Sequence, residues 1–148
     1  MIELGGEVIT KGRNAEGKDW RIGIDKPVAF SENRPLQVIL KLSDKALATS
    51  GSYRKFKEIG GKKLSHAIDP RNGYSVTHNV LSVSVLADDC MTADAWATTF
   101  LILGMEESKA LLKDLPVEAY FIFSDEEGAL HVEMTPGFQK YILEDVFE

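Results

Sequence analysis

Asp94 and Thr98 stand four residues apart in the run Thr92-Ala93-Asp94-Ala95-Trp96-Ala97-Thr98. On a helix that spacing puts both side chains on one face. A carboxylate and a hydroxyl there present two hard oxygens, the ligand type that Mg²⁺ favours. A nearby helix N-terminus adds backbone N–H groups and a positive dipole end, which suit a phosphate. A structural reading competes: an acid in a first helical turn answers the dipole, a mid-helix Thr can bond back to the carbonyl four residues earlier, and two oxygens do not fill a Mg²⁺ shell.

His66-Ala67-Ile68-Asp69-Pro70-Arg71 puts three polar, chemically able side chains within six residues. His66 could move a proton near neutral pH, and Arg71 could grip a phosphate with two N–H groups. The alternative is a turn opened by Asp69-Pro70, with Arg71 solvated. Ala48-Thr49-Ser50-Gly51-Ser52 is a run of small residues that lets backbone approach a ligand closely, or simply a turn between strands. Gly5-Gly6-Glu7 lacks the spacing of a dinucleotide fingerprint and reads equally as a bulge. His78 and His131 have no partner pattern and read as structural, and Cys90 reads as a small buried hydrophobe.

The elements that must position these residues follow from periodicity. Met1 to Thr10 and Trp20 to Asp25 read as a hairpin joined by the turn residues Gly12, Asn14 and Gly17. Leu36 to Leu42 alternates cleanly and is a strand, Ala46 to Ser50 continues extended, and Gly60-Gly61 separates the arms of a second hairpin. Val80 to Ala87 is another strand. The period then changes: Thr92 to Leu103 reads as a helix with Thr92 at its N-cap and Gly104 past its end, and Glu106 to Leu115 as a second, ended by Pro116. Ala119 to Ser124 and Ala129 to Met134 form a last hairpin, and Pro136 to Tyr141 a short turn or helix. Hairpins with a segregated helix pair predict an α+β fold on a mostly antiparallel sheet, with residues 1–148 as one domain.

The chain carries 23 acidic and 17 basic residues, a formal net charge of −6, with no stripe of Lys and Arg. That argues against a nucleic-acid partner. One cysteine excludes an intrachain disulfide and a cysteine-built metal cage. The longest apolar stretch, Ala93 to Leu103, is too short and polar to span a bilayer. An acidic chain that handled a diphosphate would face repulsion, which a divalent cation would relieve.

Taken in order, these segments resemble the ApbE family. Gly5-Gly6-Glu7 and Trp20-Arg21-Ile22-Gly23-Ile24 resemble its glycine-rich opening and W-R-I-G-I strand. Ala48-Thr49-Ser50-Gly51 with Tyr53 resembles its A-T-S-G-x-Y segment, and His66 to Gly73 its H-I-I-D-P-x-T-G motif. Thr92 to Thr98 resembles its A-D-A-x-A-T helix, and Gly104-Met105-Glu106 the G-x-E that follows. Asn72 stands where the family usually has Thr, and Ala67 where it has a larger apolar residue.

The resemblance implies an FAD:protein FMN transferase. A Ser or Thr hydroxyl of an acceptor flavoprotein would attack the FMN-side phosphorus of FAD, and AMP would leave. Asp94 and Thr98 would be Mg²⁺ ligands, and His66 and Asp94 the catalytic residues. Ser50, Gly51, Tyr53, His66, Ile68 and Asp69 would contact the flavin nucleotide. Intact members are often periplasmic or membrane-anchored, though residues 1–6 carry no such signal. Members are also much longer, so the expectation is a C-terminal portion, weakly active or inactive alone, with exposed surface that favours homo-oligomers. Two other readings remain: an FAD-binding or FAD-hydrolysing module, and a non-catalytic oligomerising fragment.

Overall fold

The computed structural model describes residues 1–28, 35–52, 56–59 and 62–145. Its strands, in chain order, are β1 (Ile2–Leu4), β2 (Glu7–Ile9), β3 (Trp20–Asp25), β4 (Leu36–Leu42), β5 (Ala46–Gly51), β6 (Phe56–Ile59) and β7 (Lys62–Ser65). Then come β8 (Ile68–Asp69), β9 (Tyr74–Ser75), β10 (Val80–Ala87), the helix α1 (Cys90–Leu112), β11 (Glu118–Ser124), β12 (Leu130–Met134) and β13 (Ile142–Asp145). A 3₁₀ turn at Phe138–Tyr141 precedes β13. The fold is α+β and antiparallel throughout its sheets, as the hairpin pattern predicts.

A six-stranded sheet runs in the order β1-β2-β5-β10-β11-β12, and a three-stranded sheet in the order β13-β4-β3. The period-2 alternation of each strand divides its side chains between two cores. On one face of the large sheet, Ala46, Ala48, Val83, Val85, Ala119 and Phe121 pack against Ala93, Ala97, Phe100 and Leu101 of α1. On the other face, Leu47, Leu86, Tyr120 and Ile122 pack against Ile22, Ile24, Val38, Leu40 and Leu42 of the small sheet. The layers are therefore helix, sheet, sheet. Alanines from both sides line the helix–sheet contact, and such small side chains let α1 sit close to β5. No described helix is long and apolar enough to cross a membrane.

The structure corrects the sequence reading in several places. Met1 to Thr10 is not one arm of a hairpin with Trp20 to Asp25. It is itself a hairpin, with Leu4 opposite Glu7 across Gly5-Gly6. Both glycines have positive φ, 69° and 112°, as a tight two-residue turn requires. β2 then pairs with β5, and β3 with β4. The expected helix pair stands: α1 consists of two helical segments that meet at Gly104, where φ is 76° and ψ is −177°. The N-cap is Asp89 and not Thr92: the Asp89 carboxylate accepts from the Thr92 N–H and from the Thr92 hydroxyl, both at 2.8 Å. Those bonds hold the Asp89 carboxyl below its usual range. β13, unforeseen, pairs with β4.

Candidate functional site

A cavity of about 990 Å³ opens where five parts of the chain meet. That is the upper end of the range, roughly 300–1,000 Å³, in which small-molecule sites fall. The β1–β2 turn brings Gly5, Gly6 and Glu7 to its wall, and the outward face of β3 brings Arg21, Gly23 and Asp25. The end of β5 adds Ser50 and Gly51, and the segment entering β8 adds His66, Ala67 and Ile68. From α1 come Asp94, Thr98, Leu101 and Ile102.

Local folding explains why these side chains converge. In β5, Ala46 and Ala48 face the helix, so the next residue in that phase, Ser50, does too. In α1, Ala93 and Ala97 are buried against the sheet, and Asp94 and Thr98 follow each of them by one position, on the open flank of that contact. The two phases meet: the Ser50 and Thr98 hydroxyls lie 2.8 Å apart in a hydrogen bond. Thr98 is therefore tied to the sheet, while the hydroxyl that bonds back along the helix is that of Thr99, to the Ala95 carbonyl at 2.8 Å. Both Asp94 and Thr98 are exposed to solvent.

Asp69 and Arg71 do something else. The Asp69 carboxylate accepts from the Arg71 backbone N–H at 2.9 Å and from Arg71 Nε and Nη2 at 2.8–3.1 Å. On its far side the guanidinium donates to Glu107 Oε2 at 2.7 Å. These bonds hold the Asp69 carboxyl below its usual range and keep Arg71 firmly protonated. Neither residue lines the cavity. The pair ties the β8–β9 turn to the second segment of α1, so Arg71 is engaged by carboxylates and not presented to a phosphate. His66 and Ile68 are exposed and line the cavity. Tyr53 lies outside the described residues.

The cavity is acidic. Glu3, Glu7, Asp25 and Asp94 line it, against Arg21. Arg21 itself donates to Glu144 at 2.7 Å. Among the described residues no three His, Cys, Asp or Glu side chains converge to hold a metal. The donor set fits Mg²⁺ in a particular way: this ion is commonly held by one or two protein carboxylates, with water and substrate phosphates completing the shell. Asp94 and Thr98 could supply the protein part and leave the rest to a phosphate ligand. Sequence reasoning missed Asp25, although the alternation of β3 puts it on the same outward face as Arg21 and Gly23. It also gave His78 no role beyond a structural one.

Known proteins resemble this chain throughout the region that builds the cavity. The model of the ApbE family matches residues 1–121. Proteins named FAD:protein FMN transferase from Escherichia coli (strain K12) and Vibrio cholerae are 34% and 40% identical over 145 and 128 residues. They align with 98% and 86% of this chain, and with 40% and 38% of their own length. The solved flavin transferase ApbE from Vibrio cholerae superposes with a TM-score of 0.76 at 35% identity, over 94% of this chain and 43% of that one. The apo form of the Pseudomonas stutzeri flavinyl transferase ApbE gives 0.77 at 28% identity, over 97% and 43%. The chain thus spans about 40% of the length of the curated relatives it matches.

Proposed function

The chain belongs to the ApbE family, and from that membership and the chemistry of its cavity we propose that it forms the metal–diphosphate side of an FAD:protein FMN transferase. The observation that carries the reading is the meeting of Ser50, Thr98 and Asp94 at the wall of one acidic cavity large enough for a nucleotide. An acidic wall repels a diphosphate unless a cation intervenes.

Asp94 and Thr98 would hold Mg²⁺ through hard oxygens. Bound there, the ion supplies neutralisation of the diphosphate and of the charge that grows on the departing oxygen. Ser50 holds the Thr98 hydroxyl through their hydrogen bond, so the Thr98 oxygen is fixed by the sheet where it faces the cavity. Gly51, at the end of β5, leaves room for the nucleotide beside that pair. His66, exposed on the cavity wall, would accept the proton of the attacking hydroxyl. The balance is that of a phosphoryl transfer: an acceptor Ser or Thr oxygen bonds to the FMN phosphorus, the bond from that phosphorus to the bridging oxygen breaks, and AMP carries the bridging oxygen away.

The test uses FAD, Mg²⁺ and an acceptor flavoprotein with the protein that carries this chain. Covalent flavin fluorescence on the acceptor, with one AMP released per flavin attached, is the expected result. Free FMN and AMP in equal amounts, with no flavin on the acceptor, would make it an FAD hydrolase. Loss of either product in Asp94→Ala ties the chemistry to this cavity.

A further inference from the structure

His78 meets α1 at the point where that helix breaks. Its Nδ1 accepts the backbone N–H of Val80 at 3.3 Å, and its Nε2 lies 3.3 Å from the Ile102 carbonyl oxygen. The two partners settle the tautomer. A backbone N–H can only donate, so Nδ1 carries no proton; a carbonyl can only accept, so Nε2–H is the donor. The ring is thus a neutral strut from the start of β10 to the last turn of the first segment of α1, where a helix leaves carbonyls open. A second side chain serves the same break: the fully buried Ser108 hydroxyl donates to the Phe100 carbonyl at 3.3 Å.

The backbone is shaped around this ring. A Cβ placed on Gly104 would sit 2.8 Å from His78 Cδ2 and 3.2 Å from Cγ. The dihedrals of Gly104, 76° and −177°, belong to a region that only glycine occupies without strain. Break, glycine and imidazole therefore form one unit. The turn they close off carries Thr98, Leu101 and Ile102 to the cavity wall.

We propose that His78 is a positioning residue of the site: through its Nε2–H bond to the Ile102 carbonyl it sets where the first segment of α1 ends, and so where the Thr98-to-Ile102 turn stands against the cavity. The proposal rests on the reading of that cavity as the nucleotide site. It concerns the placement of groups already there, and His78 itself touches no reacting atom.

Two conservative variants separate the two bonds of the ring. In His78→Gln the side-chain amide nitrogen reaches the place of Nε2 and keeps the bond to Ile102. In His78→Asn the side-chain oxygen keeps the local bond to Val80 and cannot reach Ile102. Mg²⁺-dependent FAD affinity is measured for both beside urea midpoints, with backbone amide exchange over residues 98–103 as a readout that needs no ligand. The expected result is affinity and exchange near the parent in His78→Gln. In His78→Asn, affinity falls on the order of ten-fold, as small misplacements at sites do, exchange over 98–103 is faster, and the midpoint matches that of His78→Gln. Equal behaviour of the two variants, or losses that only follow the urea midpoints, would overturn the proposal. If the parent binds no FAD, the nucleotide reading fails, and the exchange contrast between the two variants still decides the role of His78.

Discussion

Replacing Gly104 by Ala tests how strictly the helix break is built. Two costs add. A non-glycine residue at φ 76° and ψ −177° pays backbone strain of about 1–3 kcal/mol. The new methyl group would also lie 2.8 Å from the His78 ring, which is tied at both nitrogens and cannot swing away without losing a bond. Overpacking of that kind costs about 1–3 kcal/mol. The sum, about 2–6 kcal/mol, is a large part of a total stability on the order of 5–15 kcal/mol. With a urea dependence of about 2 kcal/mol per molar, the midpoint should fall by roughly 1–3 M. Gly128→Ala is the control: φ is 85° there too, but nothing lies within 4 Å of the added methyl, so only strain remains. Repeating Gly104→Ala in a His78→Ala background should recover the steric part, about 1–3 kcal/mol. An unchanged midpoint in Gly104→Ala, or the same fall in both backgrounds, would refute the view of break and imidazole as one unit.

Thr98→Val keeps the shape of the side chain and removes the hydroxyl that meets Ser50 at 2.8 Å. Stability should change by only about 1 kcal/mol, read from urea midpoints, while Mg²⁺-dependent FAD affinity falls on the order of ten-fold, read by calorimetric titration; an unchanged affinity would remove Thr98 from the site. Acid should loosen the fold through Asp69 and Asp89, whose carboxyl groups are held low by Arg71 and by the Thr92 donors. Their contribution is fully present above the unfolded value near 3.9 and is lost as pH falls through the lower folded values. Urea midpoints taken from pH 5 down to pH 2.5 should therefore drop, with a shallower slope in Asp69→Asn. Finally, Ile2 and Leu4 are 69% and 79% exposed on β1, an edge strand of the large sheet. Exposed apolar edges invite pairing, so light scattering should show self-association that Leu4→Lys weakens; a monomer at high concentration would contradict this.

Much of the framework is legible in the sequence because burial imposes a period. Trp20 to Asp25, Leu36 to Leu42 and Val80 to Ala87 form strands with the bounds that alternation indicates. The misreadings fall where a local signal had two meanings. Gly5-Gly6 serves as a bulge or a tight turn, and only the pairing of β1 with β2 across it decides between them. Asp89 and Thr92 are both good N-cap residues, and they cooperate, one accepting and the other donating. β13 is short and largely exposed, so it carries no apolar period. Within the site, motif order pointed to Asp94, Thr98, Ser50, Gly51, His66 and Ile68, and all six line the cavity. Asp69 and Arg71 could not be separated from ligand-binding residues by type alone, because a carboxylate–guanidinium pair is written with the same letters as a phosphate grip. His78 was invisible for a different reason: its partners, Val80 and Ile102, are backbone groups, and backbone groups leave no mark in a sequence.

The most direct test of the cavity as a metal–diphosphate site is a titration of FAD into the 148-residue chain, followed by flavin fluorescence with and without Mg²⁺. Binding that requires Mg²⁺ and disappears in Asp94→Ala is the result expected of this cavity. Binding that is indifferent to Mg²⁺ and to Asp94, or no binding in either condition, would contradict it.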